Sequence, residues 1–356
     1  MREADAVEIV EKTALKDLAG LSTEVVYAHV DYLGRELPGP IDLYQRWERQ
    51  QWSATDIDFE VDLQQWRSLH AGVRTQLQTA FVGFFYGEQA VTDTLSPLVH
   101  AAPTEDDRLF LSTQLVDEAR HSYFFARVFN EVLEVPGGLR ETLAEARELR
   151  VTGGGYGRIF DPDHGELVTL TEAVREQPRD YSRWVQAIAI YHLMVEGVLA
   201  LPGQRRLLRI LRASDLLPGF RSGFTAVTRD ESRHVSYGVW ALREAVRAGH
   251  EQDIRTVVDR SLAPCLAVGS NPAIKLPRPQ DLPPFARLDP RDQWSFVVDS
   301  ITKRLRTAAV DPGYVDDVEK RSWNLIQDWV GEYEQRHGEE HPVRAWERGE
   351  VEAATV

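Results

Sequence analysis

Apolar residues recur every three or four positions through four long stretches of the chain, at about 69–102, 104–134, 181–201 and 219–248. This spacing places apolar side chains along one face of a helix, so each stretch predicts a long amphipathic helix. Strand-like alternation persists nowhere, and no glycine-rich phosphate loop follows a strand. The pattern therefore predicts an all-α protein built as a helical bundle.

The remaining segments flank or interrupt these four helices. We expect an N-terminal arm and helix at 1–66, a four-helix core at 67–262, and an insertion in that core at about 139–180 that acts as a connection or lid. Prolines become frequent after Leu262, which predicts a Pro-rich connection followed by C-terminal helices at 263–337. The polar tail at 338–356 is predicted to be disordered.

Composition narrows the class of protein. The formal net charge of −15 argues against nucleic-acid binding, which normally requires a basic face. Cys265 is the only cysteine, which excludes an intramolecular disulfide and a cysteine-ligated zinc or iron–sulfur site. The N-terminus lacks a signal-peptide pattern, and no window approaches ~18 uninterrupted apolar residues. We therefore expect a cytoplasmic protein with no membrane span.

Glutamates interrupt the apolar faces of all four core helices. Glu118 and His121 stand three residues apart on one helix, and Glu231 and His234 repeat this spacing on another. The two preceding helices each carry one apolar-side glutamate, Glu88 or Glu196. Dinuclear carboxylate bundles use this ligand arrangement, with one Glu from each of two helices and a Glu-x-x-His pair from each of two others.

A second reading of these acids is a set of buried ion pairs with Arg120 and Arg233, but it gives no reason for four acids and two histidines on apolar faces. Glu334 and His337 form a third Glu-x-x-His pair, which we interpret as a solvated helix end. Asp161–His164 is interpreted as a loop. Oxygen and nitrogen ligands without sulfur favour iron or manganese over copper or zinc.

Four motifs carry a resemblance to a known family: Gly87–Val91 (GEQAV), Glu118–His121 (EARH), Tyr191–Gly197 (YHLMVEG) and Asp230–His234 (DESRH). In type and order they resemble the ribonucleotide reductase small-subunit superfamily, and within it most closely the small-subunit-like ligand-binding oxidases. The resemblance extends from about Trp52 to Gly238. It implies a ferritin-like fold and, as in relatives, a homodimer.

The resemblance also implies roles for individual residues. Glu88, Glu118 and His121 would ligate one metal, and Glu196, Glu231 and His234 the other, with carboxylates bridging. The oxidases hold manganese in the first site and iron in the second, and two irons are the alternative here. In them oxygen activation joins a valine and a tyrosine through an ether, at positions that correspond to Val91 and Tyr191.

Two further implications concern the surroundings of the metals. Trp52 and Asp230 match a tryptophan–aspartate–histidine hydrogen-bond chain that ends on His121. The oxidases bind a long-chain fatty acid with its carboxylate at the metals, so we expect that ligand or another small molecule. The segments that would line its channel diverge, and the electron donor cannot be identified.

The sequence therefore predicts a dinuclear Mn/Fe or Fe/Fe oxidase that activates O₂ and oxidises a C–H bond by two electrons. One alternative is a di-iron N-oxygenase or hydroxylase, although Val227 stands where N-oxygenases carry an extra histidine. Another is a reductase small subunit without a tyrosyl radical, since Phe125 replaces the radical-storing tyrosine. The absence of tyrosine after Tyr333 argues against that reading.

Overall fold

The computed structural model describes residues 3–137, 140–144, 155–270 and 272–352. Within these residues the secondary structure consists of helices, and none of them forms a strand. The prediction of an all-α fold is confirmed. In chain order the α-helices are α1 (Glu3–Lys12), α2 (Thr23–Glu36), α3 (Pro40–Arg49), α4 (Glu60–Ser68), α5 (Ala71–Thr94), α6 (Ser96–His100), α7 (Glu105–Arg127), α8 (Gly155–Phe160), α9 (Glu166–Glu176), α10 (Tyr181–Ala213), α11 (Pro218–Arg247), α12 (Glu251–Ser270), α13 (Pro290–Thr307), α14 (Pro312–His337) and α15 (Val343–Glu347).

The four predicted core helices are α5, α7, α10 and α11. Helix α7 begins where the sequence indicates, because the Thr104 hydroxyl accepts a hydrogen bond from the Asp107 N–H at 3.1 Å and so caps the first turn. A π-helical turn, Val128–Val132, extends it towards the predicted end. Helix α11 lies within one residue of its predicted bounds. Hydrophobic periodicity thus located the bundle.

Helix α10 extends beyond residue 201, where its prediction ends. Its central segment, Ala189–Ala200, is π-helical, and the helix continues through Pro202 to Ala213. In the π-helical segment backbone N–H groups bond five residues back, as Leu201 N–H does to the Glu196 carbonyl. Segments of this kind are often found at functional sites, and this one carries Glu196.

Helix α10 is long and apolar enough, by length and composition, to cross a membrane, which the sequence analysis did not anticipate. However, 83% of its most apolar window is buried inside the protein. The core helix of a soluble protein has the same features. Burial in the bundle therefore accounts for its hydropathy.

The segment predicted as an insertion contains helices that pack on the core. Ile159, Phe160 and Leu167, on or next to α8 and α9, are buried in the main hydrophobic cluster. At Gly155 a Cβ atom would lie 1.6 Å from the Pro264 carbonyl oxygen, so only glycine permits this close approach of α8 to α12. Within the predicted insertion, residues 139 and 145–154 lie outside the described residues.

Two expectations for the C-terminal region need correction. Helix α12 continues through Pro264 to Ser270, so the Pro-rich connection begins later than Leu262. The tail is not disordered at 341–347, where Val343 joins a cluster with Trp294 and Val330. Arg344 also donates to Glu334 at 2.9 Å. Two buried apolar side chains on one turn of helix, Val343 and Trp346, fix this segment although the tail is polar overall.

Candidate metal centre

The six predicted ligands converge from the four core helices into one buried cluster. The donor atoms form two groups, and within each group all atoms lie within 4.8 Å of one another. One group consists of Glu88, Glu118, His121 and Glu231, and the other of Glu118, Glu196 and His234. The fractional exposure of each of these residues is 5% or less. The arrangement can hold two metal ions next to each other.

Glu118 and Glu231 lie between the two histidines. The Glu118 carboxylate is 3.4 Å from His121 Nδ1 and 3.3 Å from His234 Nδ1. The two oxygens of Glu231 are 3.6 Å from His121 Nδ1 and 3.7 Å from His234 Nδ1. Carboxylates in such positions can bridge two ions.

Glu88 and Glu196 occupy the two ends of the cluster. Glu88 approaches His121 Nδ1 at 3.3 Å, and Glu196 approaches His234 Nδ1 at 3.7 Å. Each histidine therefore has one terminal carboxylate of its own beside the two shared ones. This is the ligand distribution that the resemblance implies.

Unsatisfied polar atoms indicate that the cluster is built for cations. Among the described residues, one oxygen each of Glu118, Glu196 and Glu231 and the Nδ1 of His234 are buried without a hydrogen-bond partner. Buried polar atoms are normally paired, because leaving them unpaired costs about 1–3 kcal/mol each. Two divalent ions would satisfy these atoms and balance the four carboxylate charges. The residues present therefore fit a dinuclear metal site.

Without metal the cluster retains protons. Burial raises the pKa of Glu88 to about 8 and that of Glu196 well above its ordinary value. Burial lowers the pKa of His234, but hydrogen bonds to the carboxylates of Asp117 and Glu231 raise this pKa by more, to about 9. Glu88 and Asp230 likewise outweigh the burial of His121, whose pKa rises well above its ordinary value. These protons would offset part of the carboxylate charge in the metal-free protein.

Outside the ligands, Trp52 and Asp230 form the hydrogen-bond chain expected on His121. Trp52 Nε1 donates to Asp230 Oδ2 at 2.7 Å, and the same oxygen is 3.2 Å from His121 Nε2. A carboxylate in this position fixes the ring and leaves the other ring nitrogen free to bind a metal.

An equivalent chain on His234 was not predicted. Trp47 Nε1 donates to Asp117 Oδ1 at 2.9 Å, and Asp117 Oδ2 is 3.2 Å from His234 Nε2. Arg233 joins the two chains, because it donates to Asp117 at 2.9 Å and to Asp230 at 2.7 Å. A signal was present, since both ligand motifs read Asp-Glu-x-Arg-His.

Tyr191 and Val91 lie together beside the cluster. The Tyr191 hydroxyl is 3.1 Å from the Val91 carbonyl oxygen and 3.4 Å from Glu118 Oε1. Burial and the neighbouring Glu118 raise the pKa of Tyr191 well above its ordinary value, so the phenol remains protonated. Both residues are buried, and they belong to different core helices.

Comparisons with known proteins agree with this geometry. Residues 35–150 match the family model described as "Ribonucleotide reductase, small chain". Solved R2-like ligand-binding oxidases are similar over most of the chain. A valine-to-leucine variant with anaerobically reconstituted Mn/Fe cofactor is 21% identical, with a TM-score of 0.55 over 82% of this chain and 92% of that chain.

An alanine-to-phenylalanine variant of the R2-like ligand-binding oxidase, also with anaerobically reconstituted Mn/Fe cofactor, is 20% identical to this chain. Its TM-score is 0.57 over 82% of this chain and 93% of that chain. A form with aerobically reconstituted metal cofactor after photoconversion is 21% identical, with a TM-score of 0.55 over 82% and 92%. This chain has the ribonucleotide reductase small-chain fold. The predicted resemblance and the ferritin-like fold class are confirmed.

Gln114 and His192 form a further polar pair at the His234 end of the cluster, and this pair was not predicted from the sequence. Gln114 Nε2 donates to Glu196 at 2.7 Å and to Glu118 at 3.3 Å. Its amide oxygen faces His192 Nε2 at 2.9 Å. Because burial lowers the pKa of His192 to about 3, the ring is neutral and can donate to Gln114, which orients the amide towards the glutamates.

Aromatic rings enclose the His121 side of the cluster. Phe125, four residues after His121, packs with Phe84, Phe85, Phe124, Phe220 and Phe224. Phe81 contacts Phe220 at a ring separation of 4.5 Å. The side chains of Phe81, Phe84, Phe85, Phe124 and Phe125 therefore give the His121 side of the cluster apolar, aromatic surroundings.

An apolar cavity of about 370 Å³ opens onto the other side of the cluster. Glu88, Glu196 and Glu231 line it, whereas Glu118 and the two histidines do not. Val91 also lines the cavity, and Tyr156 and Phe160 of the predicted insertion form part of its wall. Ligands bound in this cavity would reach both metal positions from one side.

The remaining candidates from the sequence lie elsewhere. Glu334 bonds to Arg344, and His337 Nε2 is 3.0 Å from the Pro272 carbonyl oxygen. Asp161 accepts the backbone N–H groups of Asp163 and His164, which closes a turn. These contacts give the two motifs structural roles away from the cluster.

We predict that Asp117→Asn weakens metal binding at the His234 end by about tenfold to a hundredfold, because the amide no longer orients the ring or raises its basicity. Asp230→Asn should have the same effect at the His121 end. Metal titration followed by anomalous scattering from crystals would show which position is lost. Asp93→Asn, on the exposed surface of α5, is the control. Equal loss at both positions in Asp117→Asn would contradict the assignment.

Metal affinity should also rise with pH between about 6 and 9. His234, with a pKa of about 9, and Glu88, with a pKa of about 8, hold protons in the metal-free protein, and ligation must displace them. Each proton released therefore favours binding as pH increases. Calorimetric titration with Mn²⁺ in buffers of different ionisation enthalpy measures the number released. An affinity independent of pH, with no proton release, would count against these six residues as ligands.

Proposed function

We propose that this protein is a dinuclear Mn/Fe or Fe/Fe oxidase that activates O₂ and oxidises a C–H bond by two electrons. The observation that carries the proposal is the position of Tyr191 and Val91 beside a bridging-type carboxylate, Glu118. The solved oxidases with the same fold, which hold Mn/Fe cofactors, support the choice of metals. The donor set of four carboxylates and two imidazoles also favours these ions.

The first C–H bond that we propose for oxidation is that of Val91 Cβ. An ether to the Tyr191 oxygen removes one hydrogen from each residue, which is two protons and two electrons. Reduction of O₂ to two waters takes four electrons, so two more electrons are needed. A bound metal pair would bind O₂ and supply these two electrons. Glu118, next to the Tyr191 hydroxyl, can accept the phenolic proton.

The surroundings suit a strong oxidant. The phenylalanine cluster around Phe125 excludes water from one side, and the apolar cavity admits a ligand from the other. Its apolar lining supports binding of a long-chain fatty acid or another lipid-like small molecule. An external electron donor would reduce the metals again after each turnover. We also propose that the protein is cytoplasmic.

We predict that metal-loaded protein exposed to air acquires a covalent bond between Val91 and Tyr191. Peptide mass mapping should find the two peptides joined and lighter by two hydrogen atoms. Tyr191→Phe should bind two metals and yield separate peptides, which controls for metal binding. Separate, unmodified peptides from the unsubstituted protein after complete turnover would reject the ether and leave the metal site in place.

The match to the ribonucleotide reductase small chain favours a second candidate, a radical-generating reductase subunit. Phe125 excludes a stable tyrosyl radical at that position, so such a subunit would depend on the metals. Helix α15 packs the tail onto the protein at Trp346, and residues 334–356 contain no tyrosine that could relay a radical. Co-purification with a large subunit would support this candidate.

An N-oxygenase is less compatible with the site. Val227, one turn before Glu231, is fully buried in the phenylalanine-rich cluster and offers no ligand atom. We therefore keep the oxidase as the proposed function.

We also propose a homodimer, paired through the outer face of α7. Leu109, Val116 and Tyr123 recur at intervals of seven and are 46–50% exposed, opposite the ligand-bearing face. Ser112 and Ala119 between them are small, so the stripe has the spacing of a helix–helix seam. Two copies related by a two-fold axis would cover each other's stripe.

We predict that Val116→Glu converts the dimer to a monomer, because two buried carboxylates would face each other across the axis. Light scattering during size-exclusion chromatography measures the mass. Val61→Glu is the matched control, since Val61 is 49% exposed on α4 and lies outside the stripe. If both variants remain dimeric, α7 is not the interface.

A further inference from the structure

The π-helical segment of α10, Ala189–Ala200, places two residues of the candidate site on one face of the helix. Tyr191 and Glu196 are five residues apart, and on an α-helix their side chains would point about 140° away from each other. In a π-helix the hydrogen bonds join residues five apart, so these two side chains come close to alignment. The Tyr191 hydroxyl is 3.4 Å from Glu118 Oε1, and Glu196 Oε1 is 3.7 Å from the Nδ1 of His234. The site therefore depends on the type of helix at this point.

One backbone carbonyl at the end of this segment lacks a helical donor. The Leu201 N–H bonds five residues back to the Glu196 carbonyl, so it does not serve Gly197, four residues back. The residue five positions after Gly197 is Pro202, which has no N–H to donate. The proline and the π-helical pattern together leave the Gly197 carbonyl to a partner from another helix.

Ser300 of α13 is that partner. Its hydroxyl donates to the Gly197 carbonyl oxygen at 2.6 Å. Arg304, one turn later on α13, donates to the Ser300 carbonyl oxygen at 2.7 Å and is in direct contact with Ser300 Oγ. Because a guanidinium only donates, the hydroxyl oxygen accepts from Arg304, and the hydroxyl proton remains for Gly197. Ser300 is 5% exposed, so water does not compete for this bond.

Two further side chains hold the next carbonyls along α10. The Tyr27 hydroxyl, on α2, donates to the Leu201 carbonyl oxygen at 2.5 Å. Gln293 Nε2, on α13, donates to the Pro202 carbonyl oxygen at 3.0 Å. Together with Ser300, three donors from outside the four core helices meet where the π-helical segment passes into α-helix.

The Ser300 bond favours one hydrogen-bond pattern of α10 over the other. If this stretch were α-helical, the Leu201 N–H would bond to Gly197 instead. Pro202 would then leave the Val198 carbonyl unpaired, and the bond from Ser300 goes to Gly197, not to Val198. Unpaired buried carbonyls are costly, so the hydroxyl stabilises the pattern in which Gly197 is the carbonyl without a backbone donor. That pattern is the π-helical one.

We propose that Ser300 is a positioning residue for the metal cluster, because its bond to Gly197 holds α10 in the π-helical pattern that directs Glu196 to the metals. The family resemblance ends near Gly238, so this role falls to a helix that the resemblance does not reach. The C-terminal helices then take part in metal binding without supplying a ligand. The inference needs the metal cluster and is independent of the proposed oxidation of Val91.

Crystals of metal-free Ser300→Ala test the backbone part of the proposal. Without the hydroxyl, the Leu201 N–H should move from the Glu196 carbonyl to that of Gly197. The Glu196 carboxylate should then turn away from His234. Ser300→Thr keeps a hydroxyl at this position and should retain the π-helical pattern.

Metal titration tests the consequence. In Ser300→Ala, Mn²⁺ binding at the His234 position should weaken about tenfold to a hundredfold, whereas binding at the His121 position should not change. Anomalous scattering from crystals distinguishes the two positions, and Ser300→Thr should restore the affinity. Thr302→Val is the matched control, because the buried Thr302 hydroxyl bonds to the Val298 carbonyl of its own helix at 3.0 Å. It should leave both positions unchanged.

An unchanged π-helical pattern in Ser300→Ala, with unchanged affinity at the His234 position, would overturn the inference. Equal loss of metal at both positions would also overturn it, because a bond that only supports packing has no reason to favour one of them. The Val91–Tyr191 peptide map of the unsubstituted protein reports on the proposed function separately.

Discussion

The structure depends on the repulsion among four carboxylates enclosed in one apolar bundle. Removing a single charge from water costs several kcal/mol, and these four lie within a few ångströms of one another. Two divalent cations would remove the conflict, whereas without them Glu88, Glu196 and the two histidines hold protons because their pKa values are raised. The four core helices are therefore arranged to enclose positive charge between them.

A network of charged side chains surrounds the metal cluster and holds its two histidines in place. Asp117 and Asp230 each accept from a tryptophan and face a histidine, and Arg233 connects them. Arg120 adds a contact to Asp117 at 2.9 Å. Because every member has a partner on another helix, rotating one ligand helix would break several charged hydrogen bonds at once. The network therefore fixes the distance between the two imidazoles, which the ligands alone would not do.

Residues that repeat at helical spacing could be predicted from the sequence, whereas contacts between helices could be predicted only where the family resemblance supplied them, as for Trp52 and Asp230. Glu118, His121, Glu231 and His234 are visible because each pair lies on one helix face. Gln114 is a single polar residue in an apolar stretch, and only the fold brings its amide to Glu196 on α10. The folded tail was missed for a related reason, because Val343 gains its partners from α13 and α14.

The two Asp-Glu-x-Arg-His motifs suggest equal halves, but their surroundings make the two metal positions different. At the His234 end the Gln114 amide bonds to Glu196 and restricts how that carboxylate can turn. At the His121 end no amide side chain among the described residues bonds to Glu88, and a phenylalanine cluster lies behind the His121 ring. A terminal carboxylate that can turn and one that is held offer different coordination to the same ion. Unequal positions of this kind would suit a pair of unlike metals, and Gln114 and Phe125 are residues that make the two positions unequal although their ligand types match.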